Sequence, residues 1–328
     1  MIRPKAGQSG LESPSSLGDS SMNFSKLGRL FLVSILIFAG FGLMSAASAE
    51  DAWLSTPESV DAFRKQVESM RPVPSKFELE TIEDRTISLG DRDIKIRIYD
   101  PGTKAPKPTL IYVHGACWVA GSLDSHDEVS RYLALQSDAM VIAIDYRLAP
   151  EHKYPDAHND VYDTVRWIWD HAKELGIDKK KFAIAGESTG AYFAAATAIR
   201  AMDEADSPRF AFLLLVYAAL DGGGSSWAEC KDQYFNGKDD VRSRYGSPLW
   251  VENLSGMPRT FNIFGQYETS RAEEELFMLK LKESGVKTAS FMNKDVGHDV
   301  QTWLTVSGNL AAHEMAIEYI REGLGTSP

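Results

Sequence analysis

An α/β architecture, a mostly parallel central sheet with helices on both faces, is the fold class this sequence predicts, and two observations carry it. From Thr109 onward short apolar runs alternate with long amphipathic segments, and the runs "TLIYV", "AMVIAIDY", "KFAIAG" and "FAFLLLVYA" are apolar at nearly every position. Strands apolar on both sides are covered on both sides, as in a parallel sheet wrapped by helices. Length agrees, since 328 residues with 44% hydrophobic content can bury a sizeable core.

Taken in order, "TPESVDAFRKQVESM" has helical spacing of apolar residues, and "FELETIEDRTISLGDRDIKIRIYD" alternates as two or three hairpin strands do. The linker "PGTKAPKP" then breaks the chain. Beyond it the pattern predicts strand "TLIYV", a helix from about Asp124, strand "AMVIAIDY", a helix through "DVYDTVRWIWDHAKEL", strand "KFAIAG" and a helix from Ser188. Strand "FAFLLLVYA" follows, then "TFNIFGQ", a helix through "AEEELFMLKLKESG", strand "TASFMN" and a closing helix in "NLAAHEMAIEYIREGL". There are no internal repeats.

Residues 1–49 stand apart. Residues 1–21 are rich in Ser, Gly and Pro and precede Met22; if translation starts at Met22 they are no part of the protein, and otherwise they form a poorly structured leader. From Met22 the chain reads as a signal peptide at 22–49: Lys26 and Arg29 make a basic start, 30–44 an apolar run, and Ala47-Ser48-Ala49 a cleavage site. An uncleaved membrane anchor is the alternative, disfavoured because the apolar run is shorter than the ~20 residues a membrane span needs. A periplasmic or secreted protein cleaved after Ala49 is therefore expected, with no stable membrane span after processing. Residues 50–328 form the main domain. Removing 1–49 takes away four basic and two acidic side chains and moves the formal charge from -11 to -13.

That acidity argues against a nucleic-acid partner, because no Lys/Arg cluster supplies the positive field that phosphates need. A small uncharged or cationic molecule is the expected partner. Cys117 and Cys230, the two cysteines, are too few for a disulfide framework; they could pair with each other, but free thiols are the preferred reading because Cys117 lies in the loop after "TLIYV". No His/Cys spacing resembles a zinc site, so neither metal nor cofactor is expected.

In open parallel sheets the reacting groups collect at the carboxyl ends of strands. There "KFAIAGESTGAYFAAATAIR" sets Gly186-Glu187-Ser188-Thr189-Gly190 between a strand and a helix, a G-x-S-x-G turn whose glycines allow the tight packing that pushes a serine outward. A serine hydroxyl needs a base, and in this architecture the order is Ser, acid, His. Only His298 and His313 follow Ser188; His313 sits in a helical run, whereas His298 lies in the loop "KDVGHDVQTW" after a strand. His298 is assigned as the base. Glu268, leaving strand "TFNIFGQ", is the preferred acid and Asp221 the second candidate; Glu273, Glu274 and Glu275 read as a solvated charge run.

These stretches, with "HGACW" at 114–118, "YRLAPEHKYPDAHND" from Tyr146, "GESTGA" from Gly186, "SPLWVENLSGMP" from Ser247 and Gly297-His298, resemble the hormone-sensitive-lipase-like carboxylesterases of the α/β hydrolases over roughly residues 75–325. The resemblance implies an α/β-hydrolase fold with a small cap, here at about 50–75 and 221–246. It further implies Ser188 as nucleophile, His298 as general base and Glu268 where the family usually has Asp. Oxyanion donors are implied on the backbone amides of the loop Gly115, Ala116 and Cys117 and of Thr189. Arg147, His152 and Asp156 take structural roles, and Trp118 either touches the acyl group or packs in the core.

The expected function is that of an exported serine carboxylesterase acting on short-chain acyl esters, the short chain being inferred from the small cap. Ala116, Cys117 and Ala191 stand where the family carries glycines, so activity is expected to be modest or narrowly selective. An amide or lactone hydrolase with the same triad, or a binding protein of the same fold, are the alternatives.

Overall fold

The computed structural model describes residues 54–71, 74–307 and 310–326. The leader and the signal peptide expected at 22–49 lie outside the described residues. Eight strands form one sheet: β1 (Thr81–Ser88), β2 (Asp93–Asp100), β3 (Lys107–Val113), β4 (Met140–Asp145), β5 (Ile177–Glu187), β6 (Phe212–Val216), β7 (Arg259–Gly265) and β8 (Thr288–Asn293). Their order is β1-β2-β4-β3-β5-β6-β7-β8, with β1/β2 and β2/β4 antiparallel and every other pair parallel. The hairpin expected before the linker is thus the edge of the same sheet.

The helices are α1 (Pro57–Ser69), α2 (Asp127–Ser137), α3 (Asp156–Asp170), α4 (Thr189–Asp203), α5 (Ala228–Tyr234), α6 (Lys238–Arg242), α7 (Arg271–Glu283), α8 (Val300–Thr305) and α9 (Ala311–Leu324). α1 starts where sequence alone says it should: Thr56 accepts the Ser59 N–H and Ser59 reaches back to the Thr56 N–H, a reciprocal cap. Three short helices, α5, α6 and α8, were not part of the predicted pattern.

Successive side chains of a strand point to opposite faces, and here both faces are filled. Ile111, Val113, Ile142, Ile144 and Ile184 pack with α3, α4 and α7 on one face. Leu110, Tyr112, Val141, Ala143 and Ala185 pack with α2, α8 and α9 on the other. The central strands carry no polar face because no side of them meets water. The sheet also aligns the chemistry: β3 and β5 are neighbours, Val113 pairing with Gly186, so the loop beginning at His114 and the turn at Ser188 emerge side by side.

Candidate active site

Ser188 sits between β5 and α4 with φ 53° and ψ −122°, a backbone conformation a non-glycine residue keeps only when its surroundings impose it. The surroundings are glycines packed against backbone. A Cβ at Gly186 would overlap the Gly190 carbonyl group, and one at Gly190 would overlap the Val113 carbonyl oxygen. The Ser188 N–H is tied to the Val216 carbonyl at 2.8 Å. The turn thus aims the hydroxyl away from the sheet at the amino end of a fifteen-residue helix, where the helix dipole favours negative charge.

Two further strand exits bring the partners. The loops after β7 and β8 are laced together: Gln266 N–H donates to Asn293 and Tyr267 N–H to Val296, each at 2.9 Å, and a side chain at Gly265 would collide with the Gly297 carbonyl. This lacing sets His298 between the serine and a carboxylate. Its Nε2 is 3.0 Å from Ser188 Oγ, and its Nδ1 lies 3.0 and 3.2 Å from the two Glu268 oxygens. The Glu268 carboxylate is fully buried and also accepts from Ser270 Oγ at 3.2 Å. Burial alone would lower the pKa of His298, but the charge and hydrogen bond of Glu268 outweigh it, and with Glu187 and Asp299 they raise it above the ordinary value. Asp221, the second candidate acid, turns elsewhere and accepts the Gly223 N–H at 2.8 Å.

The loop "HGACW" corrects part of the expected oxyanion set. The Gly115 N–H donates to the Glu187 carboxylate, and the Ala116 N–H donates to the Ala120 carbonyl at 3.3 Å. Neither is free to bind an anion in this conformation. Among the described residues the amides of Cys117 and Thr189 have no hydrogen-bond partner, so the candidate donor set narrows from four residues to two. Cys117 and Trp118 both lie at positive φ, 52° and 59°, where a glycine would rest without cost. Trp118 is wholly buried and stacks on Tyr234 at 5.4 Å, which settles its role as packing.

Other readings also change. Cys117 and Cys230 are not free thiols but a disulfide, with Cα atoms 5.0 Å apart across 113 residues of chain. The Glu273–Glu275 run is only partly a solvated face. Glu273 accepts the N–H groups of Leu220 and Asp221, and Glu274 is fully buried, which pushes its carboxyl well above the usual range; Glu275 alone is exposed, beside Arg271. The structural readings in the "YRLAPEH" block agree with the contacts seen. Arg147 grips Asp160 of α3 with two bonds of 2.8 Å, and His152 meets Asp156 at 3.1 Å. His313 is buried and stacks on Trp303.

Two groups escaped sequence reasoning. Glu187 is buried and, besides Gly115, lies 2.8 Å from His126 Nε2, so the residue just before the serine anchors the neighbouring loop. Trp227, at the start of α5, places its ring 4.5 Å from the His298 ring, with its indole N–H buried and unpaired; Tyr217 stands on His298 as well, at 6.0 Å. The G-x-S-x-G pattern leaves its second position open, so it gave no weight to Glu187. A lone Trp after three glycines was the only sign of Trp227. A cavity of about 660 Å³ lined by Asp221, Val241, Arg244, Ser247 and Trp250 includes neither Ser188 nor His298.

A serine at a strained strand-to-helix turn, a histidine on it and a carboxylate on the histidine define a serine hydrolase constellation on an α/β sheet. A family model described as alpha/beta hydrolase fold matches residues 110–302, and the chain belongs to that family, in its hormone-sensitive-lipase-like carboxylesterase branch. It is 33% identical over 223 residues to an arylesterase of Saccharolobus solfataricus, covering 63% of this chain and 73% of that one. Identity to the esterase LipI of Mycobacterium tuberculosis is 31% over 264 residues, 74% and 82% of the two chains. A solved esterase of Pyrobaculum calidifontis superposes with TM-score 0.74 at 32% identity, over 81% of this chain and 93% of its own.

Proposed function

We propose that the protein is an exported carboxylic ester hydrolase that passes short acyl groups through an acyl-enzyme on Ser188. The observation that carries this reading is the relay itself, Ser188 Oγ to His298 Nε2 at 3.0 Å and His298 Nδ1 to Glu268. As Ser188 attacks the ester carbonyl, His298 takes its proton and Glu268 holds the resulting imidazolium in place. The tetrahedral oxyanion is met by the Cys117 and Thr189 amides at the amino end of α4. His298 then gives the proton to the departing alcohol oxygen, the ester C–O bond breaks, and a water activated by the same histidine releases the acid. The neighbours of the relay are large: Trp227 and Tyr217 crowd the histidine side, which favours short acyl chains over long ones. The substrate is a small ester. Among the described residues no helix is long and apolar enough to cross a membrane.

Export is supported by the signal-like segment at 22–49 and by the disulfide, since such bonds persist in oxidising compartments. The tests are direct. p-Nitrophenyl acetate should be turned over faster than the laurate ester, and Ser188→Ala should lose on the order of 10⁴–10⁶ in kcat. Undiminished turnover in that variant would refute the mechanism. Faster hydrolysis of matched anilides or lactones would move the assignment to those substrates. If neither turnover nor fluorophosphonate labelling of Ser188 is seen, the chain is a binding protein. Protein recovered outside the cytoplasm should begin at Glu50; an intact leader there contradicts cleavage after Ala49.

A further inference from the structure

We propose that the Cys117–Cys230 disulfide is a redox-sensitive tie that positions the active site, holding the oxyanion loop and Trp227 in their working arrangement. The proposal rests on the hydrolase reading above. Cys117 supplies one of the two unpartnered donor amides, yet it lies at φ 52° and is followed by Trp118 at φ 59°. L-residues take this conformation in succession only when something holds them there. Besides the bonds of the Trp118 backbone to Ala149 N–H at 3.0 Å and Thr189 Oγ1 at 3.4 Å, both side chains are fastened to one seven-residue helix: Cys117 is bonded to Cys230 of α5, and Trp118 is stacked on Tyr234 of α5. The same helix begins immediately after Trp227, whose ring lies against His298. One covalent bond therefore links the anion-binding amide to the residue flanking the base.

Without the bond α5 still has other attachments. Tyr154 N–H donates to the Tyr234 carbonyl at 2.8 Å, Lys231 Nζ to Gly224 at 3.0 Å and Gln233 Nε2 to Leu54 at 2.8 Å. Reduction is thus expected to loosen the site rather than unfold the protein. Cys117 is the partly exposed member of the pair, and Cys230 is buried. A dithiol attacks the bond, the S–S bond breaks, each cysteine sulfur ends with a proton as a thiol, and the reductant closes into its own disulfide. Exchange with a disulfide oxidant runs the same steps in reverse. In a reducing compartment the enzyme would stay slow, and export to an oxidising one would bring it to full rate.

The experiment measures p-nitrophenyl acetate hydrolysis by the oxidised protein, by protein treated with dithiothreitol and freed of it, and by Cys230→Ser. Thiols are counted after unfolding a portion of each sample in guanidinium, because Cys230 is buried, and folding of the remainder is followed by far-UV circular dichroism. A misplacement near 1 Å can cost about 10²-fold. We expect no titratable thiol in the oxidised protein, two after reduction, a fall in kcat of about tenfold or more, and recovery on reoxidation with oxidised glutathione. The fall should lie in kcat rather than KM, because the donor acts chiefly on the tetrahedral anion. Cys230→Ser should be as slow as the reduced protein and indifferent to reductant. Two thiols in the untreated protein, or turnover within twofold of the oxidised rate after both are freed, overturns the proposal while leaving the hydrolase reading intact. So does a loss that only tracks loss of the folded circular dichroism signal in both the reduced protein and Cys230→Ser. An oxidised protein that neither turns over these substrates nor is labelled at Ser188 by a fluorophosphonate overturns the hydrolase reading and the tie with it; if it is labelled but slow, the labelling rate replaces turnover and must fall on reduction by the same factor.

Discussion

The turn that carries Ser188 and the loop that begins at His114 leave neighbouring strands side by side, and both contain residues at positive φ. They keep that geometry by different means. The turn is closed by backbone: Gly186 and Gly190 admit main-chain atoms where a Cβ would collide, and the strained serine is pinned by the Val216 carbonyl. The loop has side chains where glycines would be free, and to its backbone bonds between Ala116 and Ala120 it adds closure by those side chains, through the Cys117–Cys230 bond and the burial of Trp118. Strain held by backbone packing is insensitive to chemistry outside the turn. Strain held by a disulfide and a stacked ring depends on α5, and therefore on whatever moves α5.

The largest effect should come from the relay that both elements serve, because it sets the scale for the rest. Glu268→Gln leaves the turn and the loop intact and should lower kcat about 10³–10⁴-fold, the loss seen when a histidine of this kind loses its orienting carboxylate. The sign of its pH effect follows from His298. In the proposed mechanism neutral His298 is the base, so kcat/KM is expected to rise as pH passes upward through its pKa. In the parent that pKa is raised above 6.5, because Glu268's charge and hydrogen bond outweigh burial. Glutamine removes the charge and leaves burial, so the acid limb moves to lower pH. A limb that stays in place, measured on the residual activity, would assign the raised value to another group.

Gly190→Ala strikes the backbone-closed element first, and its Cβ also meets the His114 carbonyl where the loop begins. The added Cβ overlaps the Val113 carbonyl oxygen, which joins β3 to the turn, so the turn must move by an amount comparable to the overlap. About 10²-fold in kcat follows from displacement on the 1 Å scale, with a stability loss of about 1–3 kcal/mol from overpacking. Assay and thermal melt together check it. If Gly190→Ala keeps full rate, the turn is not closed by its backbone and the contrast with the loop fails.

The fold and part of the site were legible because they rest on local pattern. Apolar runs at strand length mark β3 to β6, and the order Ser, acid, His leaves His298 and Glu268 as the partners of Ser188 with only Asp221 in competition. What escaped depends on distances between remote segments. Nothing in the spacing of Cys117 and Cys230 says that 113 residues fold back to bring their Cα atoms within 5.0 Å. The burial of Glu274 was hidden by its place in a charge run, and the amides of Gly115 and Ala116 were misjudged because the direction of an N–H depends on backbone torsion rather than residue type.

Glu187 belongs to both elements, and altering it gives the smallest and most discriminating effect. It stands beside Ser188 in the turn, while its carboxylate accepts the Gly115 N–H of the loop and meets His126. Glu187→Gln keeps the shape and one acceptor oxygen but removes the charge, so the loop stays anchored more weakly. We expect kcat to fall by about tenfold, on the order of one net hydrogen bond to a charged group, about 1.5 kcal/mol. Because Glu187 also raises the pKa of His298, the acid limb should shift down, by less than in Glu268→Gln. If the limb shifts while kcat holds, Glu187 acts on the base through charge alone and the loop is held without it. If kcat falls while the limb holds, it acts as an anchor, and the loop's closure by side chains extends across the strand boundary into the turn.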